Sequence, residues 1–268
     1  MAVSSTFNAR NAAVYERSMG RWSRMLAAQF VDFAGLAPAE RVLDVGCGTG
    51  SLLLHLAGRA EKPELTGIDA SPLYVAAARK AAGPAARVEE GDACALPYPD
   101  ASFDRTLGQL VLQFIPEAPR AAAEMLRVTR PGGTVAAAVW ASGAGMVAQR
   151  MFLDTAAMLD PAAAELRDAT FTRPMTRHGE LSALWNSLGL EEVAETSATI
   201  WMSFNDFADW WGPIADGEGT LGKYVTSLPE RERARLEAAL RTAYHCGPED
   251  GPRCFAATAL LCRGRRSR

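Results

Sequence analysis

Val42-Leu43-Asp44-Val45-Gly46-Cys47-Gly48-Thr49-Gly50 decides how this chain reads. Residues 41–45 form a short apolar strand pattern that runs into a turn of alternating glycines, and residues 51–56 resume apolar spacing at helical period. The unit is strand, tight turn, helix. A glycine turn at that junction lets backbone approach a ligand where a Cβ would stand in the way.

The same rhythm continues outward. Residues 65–69 read as a second strand and 72–82 as an alanine-rich helix. Residues 87–90 make a third strand, 103–107 a fourth with its helix at 119–128, and 133–140 a fifth. Strands alternating with helices predict a parallel, doubly wound α/β sheet, with its ligand crevice at the carboxyl ends of the strands where their order reverses. Upstream, Val14, Met19, Trp22, Leu26, Phe30 and Phe33 fall at helical spacing, so one or two helices precede the sheet. Downstream, helices are expected at 144–159 and 181–188 and a strand at 190–202. A helical turn at 204–211, a Gly/Asp-rich connector at 212–222 and a charged helix at 229–244 lead to a last strand at 254–262.

The expected architecture is a Rossmann-like, seven-stranded mixed sheet in a single domain over 1–268. Residues 1–38 form an N-terminal helical lid, 39–140 the ligand-binding core and 141–268 the acceptor-side elements. An insertion at about 203–245 separates the two late strands, which pair antiparallel.

Composition narrows the function. In 268 residues, 49% are apolar and the net charge is -3, so a polyanionic partner such as nucleic acid is disfavoured. Five cysteines, none in a Cys-x-x-Cys pair, predict reduced thiols, no metal site and a cytoplasmic setting. No apolar run suits a membrane span or export signal. The basic tail, 263–268, reads as solvated or disordered.

Spacing bears on the ligand of the glycine turn. A dinucleotide fingerprint needs Gly-x-Gly-x-x-Gly, and Ser51 stands where its third glycine belongs. S-adenosylmethionine (SAM) has an amino-acid end and a nucleoside instead of a pyrophosphate. Gly46 and Gly48 admit the amino-acid end, and Asp44 meets its ammonium. Asp69, ending the second strand, accepts ribose hydroxyls in either ligand class. Asp92, ending the third, accepts from the adenine amino group, while Ala93 and Leu96 pack on the ring. Any one acid is explained as well by a cap or turn; acids at three successive strand ends are not.

Val42 to Gly50, Gly67-Ile68-Asp69, Gly91-Asp92-Ala93-Cys94-Ala95-Leu96-Pro97, Ser102-Phe103-Asp104 and Arg130-Pro131-Gly132-Gly133 together resemble the successive motifs of class I SAM-dependent methyltransferases. The nearest flavour is the ubiquinone/menaquinone-biosynthesis methyltransferase-like group, over residues 10–140. The resemblance implies SAM contacts at Gly46, Cys47, Gly48, Asp69, Ala70, Asp92, Ala93, Gln109 and Leu110, with Tyr15 over the methionine carboxylate. Gln109 and Gln113 depart from it, standing where many relatives carry a serine or a His pair.

Methyl transfer needs orientation, near-attack distance and exclusion of water. A base is needed only where the acceptor must lose a proton. The expected function is methylation of a small organic acceptor at oxygen, carbon or nitrogen. The alternatives are a non-catalytic SAM-binding protein and a NAD(P)- or FAD-dependent oxidoreductase. No catalytic residue emerges; His178, in the loop after Phe171, is the candidate, ahead of His55 and His245. Trp140, Phe207 and Trp211 are candidate acceptor contacts, because Phe204, Phe207 and Trp211 fall on one helical face beside the glycine-rich connector. They predict an apolar or aromatic acceptor. Monomer and homodimer stay open.

Overall fold

The computed structural model describes residues 6–7, 10–247 and 249–268; residues 1–5 and 8–9 of the expected lid lie outside them. Its centre is one seven-stranded sheet in the order β3-β2-β1-β4-β5-β7-β6. Strands β1 (Arg41–Val45), β2 (Glu64–Asp69), β3 (Ala86–Glu90), β4 (Phe103–Gln109) and β5 (Thr129–Trp140) run parallel. Strand β7 (Arg253–Arg265) lies antiparallel between β5 and β6 (Glu191–Phe204).

Alternation along the strands sorts two cores. Val42, Leu107, Ala136 and Ala138 face one side, with Leu26 and Phe30 of α2 (Arg21–Ala34) and Leu52 and Leu56 of α3 (Ser51–Ala57). Leu43, Val45, Val135, Ala137 and Val139 face the other, under Ala121 and Met125 of α5 (Ala118–Val128) and Trp185 of α8 (Glu180–Ser187). This is the period-two consequence of burying both faces of a parallel sheet. Asp44 shares the Val42 side of β1, and Gln109 shares the Leu107 side of β4, so both turn beneath α2.

Order reverses between β1 and β4, which places a crevice at their carboxyl ends. Two elements roof it. The N-terminal segment comprises α1 (Ala12–Tyr15), a π-helical turn at Glu16–Gly20 and α2. The second roof holds α6 (Val147–Ala157), α7 (Pro161–Phe171), α9 (Phe207–Ala215), α10 (Gly219–Ser227) and α11 (Glu230–His245). Helix α4 (Pro72–Ala82) completes the wall beside β2.

Three local expectations change. The connector at 212–222 is mostly helical, because Gly222 packs against the backbone of Gly217 and lets α10 start within a few residues of α9. Helix α7 occupies a stretch with no expected element, started by Asp160, whose side chain accepts from the Ala162 N–H. The basic tail is not a solvated end. The Arg266 guanidinium donates to the carbonyls of Arg127 (2.8 Å) and Thr129 (2.6 Å) and caps the C-terminus of α5. Arg263 donates to the Phe33 carbonyl near the end of α2 (2.7 Å). Helix carboxyl ends offer unpaired carbonyls and partial negative charge, which is what a guanidinium satisfies.

Candidate functional site

A cavity of about 490 Å³ opens at the switch point. Its floor is the strand ends: Gly46 and Gly48 after β1, Asp69, Ala70 and Ser71 after β2, Gln109 to Val111 after β4, and Trp140 at the end of β5. Its roof is Tyr15, Met19 and Trp22 from the N-terminal segment, with Trp210 and Ile214 from the second and Phe204 at the end of β6.

The glycines of the turn have different tasks. Gly46 lies at φ +69°, and a Cβ there would overlap the Val111 side chain, so its bareness serves a close approach between two loops. Gly48, at φ +54°, has only the Tyr15 hydroxyl near where a Cβ would stand, at 3.9 Å, and so presents bare backbone to the cavity. The turn is held from above by Glu16, whose carboxylate accepts from the Thr49 hydroxyl and pairs with Arg24.

Asp69 accepts the Gly48 N–H (2.9 Å) and the Ser71 N–H (2.8 Å), one on each oxygen. Its burial raises its pKa, against the lowering by those two donors. Asp44 is different: it is 1% exposed, and neither oxygen has a hydrogen-bond partner among the described residues. Burial, then the nearby Asp69 charge, pushes its pKa well above the usual carboxylate range. It lines a small recess with Tyr15, Ser23, Cys47, Thr49 and Ser51. A buried carboxylate without a partner is costly in the free protein, so this recess is shaped for a cation with N–H donors. The ammonium of SAM fits that requirement.

Burial raises the Tyr15 pKa to about 12, and its ring stands 4.9 Å from that of Tyr74. Gln109 donates through Nε2 to the Ser23 carbonyl (2.9 Å) and leaves its oxygen unpaired. Leu110 takes a left-handed backbone (φ 62°), held by its N–H to the Ala138 carbonyl (2.7 Å). Cys47 turns its side chain toward Gly67, away from the main cavity. Asp92 and Ala93 are not among the residues that line the cavity; Asp92 accepts the Cys94 N–H (2.7 Å), the turn-capping arrangement.

The acceptor-side candidates divide. Trp140 lines the cavity, but Phe207 and Trp211 pack behind it, stacked on each other at 6.1 Å with Trp211 also against Phe152. The helix begins at the Asp206 cap, so Phe204 belongs to β6 and the exposed-to-cavity face of α9 is Trp210, Pro213 and Ile214. His178 stands outside the cavity, its side chain 75% exposed and 3.5 Å from Glu195. His245 pairs with Asp250 at the end of α11 (3.3 Å), and His55 lies on α3; no histidine lines the cavity among the described residues. The loop that carries His178 does reach the cavity, through Arg173. Gln113, also missed by sequence reasoning as a contact, lines it with both amide atoms unpaired.

The fold and site together are a doubly wound sheet with an orphaned acid beside a glycine turn and a second acid, Asp69, ending the next strand. Comparison with known proteins gives the family. Residues 42–133 match the methyltransferase domain family. An uncharacterized protein of Mycobacterium tuberculosis is 30% identical over 213 residues, 77% of this chain and 76% of that one. The demethylmenaquinone methyltransferase of Deinococcus radiodurans is 40% identical over 115 residues, 42% of this chain; the chain spans 46% of that enzyme's length. The crystal structure of the YcgJ protein from Bacillus subtilis superposes with a TM-score of 0.58 at 19% identity, covering 92% of this chain and 99% of that one. The chain belongs to the class I SAM-dependent methyltransferases, whose cofactor is SAM, and over less than half of its length it is similar to demethylmenaquinone methyltransferases.

Among the described residues no helix is long and apolar enough to cross a membrane.

Proposed function

We propose that this chain methylates a small, largely apolar molecule held between the strand ends and the second roof. The observation that carries the reading is the unpartnered Asp44 carboxylate, facing a recess that adjoins an aromatic-walled cavity. In this reading Asp44 and the backbone of the turn from Gly46 through Cys47 to Gly48, bare toward the cavity at Gly48, hold the amino-acid end of SAM. Asp69 and Ala70 hold the ribose, while Gln109, Leu110 and Tyr15 close over the reacting end; Asp92 and Ala93, outside the cavity lining, would meet the adenine only at its margin. Trp140, Phe204 and Trp210 form the acceptor wall, with Phe207 and Trp211 as its packed support.

SAM held by these residues would supply a methyl group already activated by its sulfonium. The chain's own work is orientation and exclusion of water. Trp22, Met19, Trp140 and Trp210 give the reacting end apolar walls, where a fixed near-attack geometry outweighs any single acid or base. Asp209 and Glu218 line the cavity but are committed, Asp209 to Arg21 (3.0 Å) and Glu218 to Tyr74 (2.6 Å). The proposal therefore assigns no general base.

The five thiols are all unpaired, which supports a reducing, cytoplasmic setting; a monomer is the simplest working state. Titration calorimetry with SAM, S-adenosylhomocysteine and NADH tests the cofactor, with micromolar binding of the first two and none of NADH expected. Transfer of labelled methyl to members of a small-molecule panel tests catalysis. A protein that binds SAM but methylates none of them would favour the non-catalytic reading.

A further inference from the structure

The cavity is mainly apolar, yet one cation faces it. Arg173 is the only Lys, Arg or His among its described lining residues. It follows α7, and its guanidinium lies over the Phe114 ring, 4.8 Å from the centroid. It forms no salt bridge with any described residue. The acids nearby are spoken for: Asp69 by two backbone N–H groups, Asp209 by Arg21, and Glu218 by Tyr74 and the Arg10 and Asn11 N–H groups. Residues 1–9 contain no acid that could serve instead. Burial alone moves the Arg173 pKa, downward, with no opposing charge to hold it up.

A second observation points the same way. Gln113, next to Phe114 in the chain, is 6% exposed, lines the cavity, and has neither its amide oxygen nor its amide nitrogen paired. Unpaired cations and amides inside apolar walls are costly unless a ligand completes them. A guanidinium presents a planar fork matched to carboxylate or phosphate oxygens, and its contact with the Phe114 ring holds it at the cavity wall.

We propose that Arg173, assisted by the Gln113 amide, selects an acceptor that carries an oxyanion on an otherwise apolar body. The inference rests on the reading of the cavity as an acceptor site. It places the charge at the Phe114 side, and the apolar body toward Trp140, Phe204 and Trp210. A neutral acceptor of the same shape would leave Arg173 half-buried without a partner and would be rejected on that account, as sites built for a charged group reject analogues that lack it.

The test uses the S-adenosylhomocysteine complex of the full chain, titrated with three compounds on one scaffold: 3-phenylpropionate, 2-phenylethyl phosphate and 3-phenylpropanamide. At least one of the two anions is expected to bind about tenfold or more tightly than the amide, and the tighter anion names the source of the charge. In Arg173→Gln that preference is expected to vanish, while S-adenosylhomocysteine affinity stays within about twofold. Arg173→Lys, which keeps the charge and loses the fork, should retain part of it. Circular dichroism melts guard against misfolding, with the Arg173→Gln melting temperature unchanged or raised because a buried charge is removed. Equal or absent binding of all three compounds to the parent protein overturns the proposal, as does a preference that survives in Arg173→Gln. Failure to bind S-adenosylhomocysteine at all would instead sink the methyltransferase reading, and is read separately in the first titration.

Discussion

The Tyr74 hydroxyl donates to the Glu218 carboxylate at 2.6 Å and joins α4, which follows Asp69 in the chain, to the entrance of α10 in the second roof. The same carboxylate accepts the Asn11 N–H (2.8 Å) and the Arg10 N–H (3.2 Å), so one side chain, 7% exposed, clasps three separate parts of the cavity wall. Glu218→Ala leaves a buried phenol and two N–H groups without their acceptor. A loss of roughly 2–3 kcal/mol and a fall in Tm of about 6 °C are expected. Tyr74→Phe, which removes only one donor, should cost about half as much, and thermal melts of the two variants check the ordering.

Asp44 makes a pH prediction with a definite sign. Its folded pKa is raised in the free protein, so the folded state holds more protons than the unfolded one, and this group makes stability fall as pH rises. The fall starts near the ordinary carboxylate pKa and continues up through the raised value. Asp44→Asn removes that penalty. The difference in Tm between Asp44→Asn and the parent should therefore grow as pH rises from about 4. SAM affinity should move the other way, weakening at least tenfold in Asp44→Asn, because a cationic ligand loses a charge-assisted partner. Calorimetry with SAM and melts across pH measure both. A parent protein that gains on the variant as pH rises would contradict the raised pKa.

Gly46→Ala should be destabilising for two reasons: its φ is +69°, and its new methyl overlaps Val111. Left-handed strain and overpacking together suggest roughly 3 kcal/mol. Adding Val111→Ala should restore about half, since it relieves the overlap and leaves the strain. Urea denaturation of the single and double variants reads the difference.

Trp210 and Trp211 are neighbours with opposite duties. Trp210→Ala opens the cavity wall and should weaken acceptor binding with little change in SAM affinity. Trp211→Ala removes a ring stacked on Phe152 and Phe207 and should cost about 3–5 kcal/mol of stability. Melts and calorimetry on both variants separate the two faces of α9. Weaker acceptor binding in Trp211→Ala at unchanged Tm would reverse the assignment.

The sheet was legible because its signals are local: period-two burial in β1 and β5, glycines where the chain must turn, helical spacing between. Asp44, Gly48 and Asp69 could be read for the same reason, since strand ends at a switch point converge whatever surrounds them. The second roof could not. A helical period counted from Phe204 puts Phe207 and Trp211 on one face, but the chain leaves β6 only at the Asp206 cap, and that offset turns Trp210 inward instead. Gly46 answers to Val111, far along the chain, and its bareness looks the same in sequence as that of Gly48. In the loop after α7, His178 is the rarer side chain and the one a sequence puts forward. Arg173 stands out there because no described acid pairs with it, and an absent partner is a tertiary fact that no spacing records.

The place of β7 governs when this molecule can become whole. Among the described residues strand β6 pairs only with β7, and β7 alone joins it to β5. On the ribosome, residues 191–204 therefore wait without a ladder until 253–265 emerge, an interval on the order of 2–10 s at ordinary translation rates. The half of the sheet carrying the glycine turn can close long before that, with the edge of β5 briefly bare and open to pairing with other chains. The two walls of the cavity are thus born at different times, and the nascent chain's most aggregation-prone moment falls between them.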